Sequence, residues 1–96
     1  MTEQDGLPAL AVPTVHLNGT SAEELMNQLR SAALAVQNAM NVLALAAPHG
    51  RDYYPQNSNA INDAMEQHRS RMRRLSEVHT ELFELHEAVY RQRRTP

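Results

Sequence analysis

Residues 20–48 read TSAEELMNQLRSAALAVQNAMNVLALAAP, and this stretch decides the fold. It opens with two overlapping capping arrangements, Ser21 with Glu24 and Thr20 with Glu23. In each, a hydroxyl accepts from a backbone amide at a helix start while a carboxylate three residues on reaches back. Either one starts a helix at about residue 21. Leu25, Leu29, Ala32, Val36, Ala39, Leu43 and Ala46 then recur at alternating spacings of four and three, a seam down one helical face. Met26, Ala33, Met40 and Ala47 run beside it as a second apolar line. Pro48 has no amide hydrogen and clashes with a preceding helical turn, so the helix is expected over about 21–47, roughly 40 Å.

A second helix is expected over about 58–92, after the cap-forming NSN at 57–59. Its seam is Ile61, Met65, His68, Met72, Leu75, His79, Leu82, His86 and Val89, with Val78 and Leu85 widening it. The connection at 48–56 is too short to return the chain to a parallel start, so the helices run antiparallel. A two-helix hairpin has no enclosed centre, and a second copy is the simplest cover for its apolar faces. The expected fold is thus all-α: a long antiparallel helical hairpin with a flexible N-terminal arm, assembling into a homo-oligomeric helical bundle. Residues 1–17, with two prolines and no periodicity, make the mobile arm, within which TVHL (14–17) reads as a short extended piece. Residues 18–96 form the hairpin domain. NGT at 18–20 turns the chain, with Gly19 able to take dihedrals closed to other residues. A short third helix within the first twenty residues is the competing cover.

Composition narrows the function classes. A chain of 96 residues with one phenylalanine and no tryptophan has little material for a thick core. It has no cysteine, which removes disulfides, thiol nucleophiles and thiolate metal sites. Nine arginines against eleven acids give a net charge of −2, which works against general binding to duplex nucleic acid. No stretch is long and apolar enough to cross a membrane, and the acidic start MTEQDGLPAL lacks a signal-peptide pattern.

His68, His79 and His86 share the second seam and are candidates for a pH-sensitive contact, since imidazole titrates near neutrality. Metal binding is not expected there, because no carboxylate or paired histidine completes a ligand set. Hydrogen bonds to Gln37, Asn38 or Asn41 on the first helix are the plainer expectation. The arginines of HRSRMRRL (68–75) and RQRR (91–94) avoid the seam and are separated by Glu77, Glu81, Glu84 and Glu87, the pattern of a solvated face.

The connection PHGRDYYPQ (48–56) is richer than a turn requires. Tyr53 and Tyr54 offer flat faces, Arg51 a charged fork, His49 a ring, and Asp52 an acceptor for amines or ribose hydroxyls. This set suits a nucleotide, with stacking for the base, donors for phosphate and an acceptor for the sugar. It suits protein contact equally, since tyrosine and arginine dominate binding hot spots. At the other end of the first helix, His16, Asn18, Thr20 and Ser21 lie beside free helix-start amides, a ready anion site. Within one hairpin the two stretches stand apart by the length of that helix. In an antiparallel pair of hairpins they meet. No nucleophile elbow, phosphate loop or cofactor motif is present, so no catalytic residue and no cofactor is expected and the chain reads as a non-enzyme.

HLNGTS (16–21) and PHGRDYYPQ, together with the helix between them, resemble a group of small tailed-phage and prophage proteins of unestablished activity. The resemblance runs from about Val12 to beyond Met65. It implies a phage accessory protein working in the host bacterial cytoplasm. With the loop chemistry, it leads to the expectation of an oligomeric sponge that binds and sequesters a nucleotide second messenger of host defence at inter-subunit pockets. The alternative is an interaction module that modulates a host or phage protein through the 48–56 loop.

Overall fold

The structure, a computed structural model, describes residues 9–93. Two α-helices account for most of it: α1 (Ala22–Ala44) and α2 (Ala60–Arg93), with one 3₁₀ turn at Gly50–Asp52 between them. Glu23 at the start of α1 pairs with Arg93 at the end of α2, so the helices run antiparallel, as expected. No strand occurs among the described residues. Residues 1–8 of the expected arm, and 94–96, lie outside the described residues.

The first cap is Ser21, not Thr20. Its backbone is extended (φ −65°, ψ 154°), and its Oγ accepts the Glu24 amide at 3.1 Å. The carboxylate does not complete the reciprocal arrangement, because Glu24 accepts instead from Gln28 Nε2 one turn along. α1 ends at Ala44, three residues earlier than the apolar pattern. The amides of Leu45, Ala46 and Ala47 bond the carbonyls three residues back, to Val42, Leu43 and Ala44. The helix thus tightens into 3₁₀ geometry before Pro48, which disfavours a helical conformation in the residue preceding it. α2 starts two residues later than the sequence implies. Asn57 Oδ1 accepts the Asn59 amide at 2.9 Å, so the NSN stretch forms its own turn before the helix begins.

The core is small. Ala22, Met26 and Val89 are buried, with Val15, Leu25, Leu29 and Tyr90 packed around them. All nine expected seam positions of α2 are buried or half-buried. The α1 seam is less regular, since Ala39 and Ala46 are exposed while Met26, Ala33 and Met40 of the second line are covered. Ala46 lies past the helix end. For Ala39, a straight helix drifts about 20° per heptad from a 3.5-residue pattern, which moves the contact stripe between the two lines.

Counting back at equal rise from the Glu23–Arg93 pair puts Ala44 opposite about Met72. The first turns of α2 therefore extend beyond α1. Ile61, Ala64 and Met65 are nonetheless half-buried and His68 is buried. The segment in reach of them is the connection, whose Pro48 and Tyr53 are half-buried.

Residues 9–20 contain no helix. The chain before α1 is hydrogen-bonded to the far end of α2 through one side chain. The Gln92 Oε1 accepts the Val15 amide and its Nε2 donates to the Pro13 carbonyl, each at 2.8 Å.

Candidate functional site

The turn at the N-terminal end begins where that fastening stops. The His16 carbonyl accepts the Gly19 amide at 3.1 Å, closing a tight turn over HLNG. The glycine is not there for left-handed dihedrals, since its φ lies outside that region. It is there for space. A Cβ on Gly19 would sit 2.7 Å from His16 Nε2, so the imidazole lies over the glycine backbone. At the tip of this turn Leu17 is 97% exposed. Asn18 and Thr20 are exposed, and neither side chain is engaged in a hydrogen bond. Ser21 is exposed too, but its oxygen is committed to capping α1. The charge at this helix start is mixed: Glu23 and Glu24 stand in the first turn, and Arg93 neutralises Glu23.

The second group sits on the 3₁₀ turn. Amides of Asp52, Tyr53 and Tyr54 bond back to the carbonyls of His49 and Gly50 at 3.0 Å, which folds PHGRDYYPQ into a compact knot. His49 and Arg51 face each other, with Arg51 Nη1 3.1 Å from His49 Nε2. A neutral imidazole accepts at one nitrogen only, so the ring takes either this contact or the Arg51 amide, which approaches Nδ1 at 3.4 Å and caps the turn. Asp52 is exposed and does not pair with Arg51. The two tyrosines differ: Tyr53 is half-buried, whereas Tyr54 is 79% exposed. Leu45, just before the turn, is 87% exposed.

The candidate residues thus fall into two clusters. His49, Arg51, Asp52, Tyr53 and Tyr54 share one turn; His16, Asn18, Thr20 and Ser21 share another. The 23 residues of α1 separate them by about 34 Å. Neither turn alone encloses a ligand.

The seam histidines do not make the bonds expected of them. Gln37 bonds Asn41 on its own helix at 3.1 Å, and no hydrogen bond joins His68, His79 or His86 to α1. His86 Nε2 is buried with no partner, while its Nδ1 stands 3.6 Å from Glu87 Oε2, beyond hydrogen-bond reach. Three of the four arginines of HRSRMRRL are used within α2: Arg69 pairs with Glu66, and Arg73 and Arg74 reach Ser70. Among the described residues, no three metal-ligating side chains lie together, and no helix is long and apolar enough to cross a membrane.

Gln92 was not anticipated, although a signal for it exists. It continues the seven-residue line of Val78 and Leu85, where a polar residue at the edge of an apolar face calls for a partner.

No family model, no curated protein and no solved structure matches the chain.

Proposed function

We propose that the protein is a non-enzymatic homo-oligomer in which the 16–21 turn of one copy and the 49–54 turn of another close around a nucleotide-like anion and sequester it. The observation that carries this reading is the state of the two turns. Each is internally bonded, each leaves recognition side chains free, and each ends in an exposed apolar residue, Leu17 on one and Tyr54 on the other. Surfaces that are rigid, polar and tipped with uncovered apolar groups are typical of half-interfaces. The thin core points the same way. Leu34, Val42 and Phe83 remain more than half exposed on a hairpin whose only buried apolar residues are Ala22, Met26 and Val89 among those described.

In the assembled site Tyr54 stacks on the base, Arg51 grips phosphate with His49 orienting its guanidinium, and Asp52 accepts from a sugar hydroxyl. Asn18, Thr20 and the amides of the opposite turn close the anion side. On the resemblance to small tailed-phage proteins, the proposed setting is the host bacterial cytoplasm and the proposed target a defence second messenger. Native mass spectrometry against a panel of cyclic and linear nucleotides tests it. Stoichiometric uptake that vanishes with Arg51→Ala, at unchanged subunit count, is the expected result. An oligomer that takes up none of them overturns it.

A second reading draws on the same exposed end. Tyr54 and Arg51 on one turn, with the exposed Leu45 ahead of it, are the composition of a protein hot spot. An assembly that ignores nucleotides yet binds a host protein, and loses it with Tyr54→Ala, is its signature.

A further inference from the structure

We infer that Gln92 is the positioning residue of the N-terminal turn: its side-chain amide sets where His16, Leu17, Asn18 and Gly19 stand by holding the three residues ahead of them on α2. That these residues belong to a binding site rests on the proposed function; that Gln92 holds them does not.

A primary amide is the one side chain that pairs with an extended backbone as another backbone does, giving one acceptor and one donor side by side. Gln92 uses both, accepting from Val15 and donating to Pro13 at 2.8 Å each. The pair is part-buried, where competition from water is reduced and an unmatched group is costly. A third, longer contact from Nε2 to the Ala88 carbonyl at 3.5 Å fixes the side chain against its own helix. Val15 is held a second way, its side chain packing on the Ala22, Met26 and Val89 cluster. The next residue is His16, whose carbonyl closes the turn and whose ring lies over Gly19. Clamp and turn are thus consecutive in the chain. The Pro13–Val15 clamp spans 77 and 79 residues of sequence, so the end of α2 controls the beginning of the chain.

Glutamate at this position tells a clamp from a space-filler. A carboxylate still accepts from Val15 but cannot donate to Pro13, and its lone pairs repel that carbonyl. Protonated, it regains one donor and one acceptor. The test is amide hydrogen exchange at Val15 and Gly19 in the full chain, for wild type, Gln92→Ala and Gln92→Glu, near neutrality and at about pH 3.5, below the usual glutamate range. Each variant is compared with wild type at the same pH. Near neutrality both variants are expected to exchange Val15 and Gly19 about tenfold faster than wild type, with α1 amides unchanged. At the acid pH Gln92→Glu is expected to return toward wild type while Gln92→Ala does not. Unchanged exchange at Val15, release of Val15 without Gly19, or no acid recovery in Gln92→Glu would each overturn the inference. Nucleotide uptake by the same variants separates the two claims: wild type taking up nothing counts against the proposed function alone. If wild type binds and Gln92→Ala binds equally with its turn released, the turn is no part of the site, which counts against the proposed function and leaves the clamp standing.

Discussion

At the residue scale, the chemistry is decided by which groups are already spent. Ser21 is spent on its cap, so Ser21→Ala is expected to cost about 1 kcal/mol of stability in thermal or denaturant unfolding. A change confined to ligand uptake, with stability untouched, would contradict that role. His86 is the opposite case, a buried ring nitrogen without a partner. Replacing it by a leucine of similar reach removes an unmatched polar atom and adds apolar surface. His86→Leu is therefore expected to raise the unfolding free energy by about 1 kcal/mol, and a loss of that size would mean that Nε2 has a partner in the assembly. The placement of His86 follows from the seam spacing, and all three seam histidines lie on the covered face of α2 as that spacing implies. Their hydrogen bonds were not legible, because Gln37 and Asn41, a turn apart, satisfy each other before they meet a second helix.

At the scale of elements, both helices were readable from periodicity and caps, as was the start of α1, while the two ends that flank the connection were not. The apolar pattern in α1 runs on through Leu45, Ala46 and Ala47, yet the helix has already tightened. Pattern records which residues want burial, whereas Pro48 governs what the backbone before it can do. The same limit hid the clamp. TVHL reads as extended, but nothing local says that its partner is Gln92 at the far end of the chain. The role of Gly19 was likewise invisible, since a glycine needed for space and one needed for dihedrals look alike in sequence. Gly19→Ala is expected to push the imidazole off the turn, seen as altered His16 ring shifts in NMR, while leaving stability within about 0.5 kcal/mol because the turn is exposed. Unmoved ring shifts would mean that the imidazole does not rest on the glycine.

At the scale of the whole molecule, the hairpin is a thin object with its core at one end. Among the described residues Val89 is the one fully buried side chain of its size, so Val89→Ala is expected to cost about 2 kcal/mol, a large share of what so small a core supplies. Phe83, at 58% exposed, has little to lose in an isolated hairpin. In an oligomer that covers it, the unfolding temperature rises with protein concentration and Phe83→Ala lowers it by an amount that depends on that concentration. An identical small effect at every protein concentration would leave Phe83 outside any interface. The composition of both candidate turns was legible in the sequence, as was their separation. Their proposed joining is a relation between copies, which no single chain carries.

Subunit mixing tests that relation most directly. Copies carrying Arg51→Ala are damaged in one turn and copies carrying Asn18→Ala with Thr20→Ala in the other, and each preparation alone is expected to bind a nucleotide poorly. If each site takes one turn from each of two copies, mixing the two through unfolding and refolding restores intact sites. About a quarter of the wild-type number should return, the statistical share for random symmetric pairing. Native mass spectrometry of the mixture, with a nucleotide that the wild type retains, counts them. Recovery near that share is the expected result. A mixture that binds no better than its two components would contradict a site built between copies.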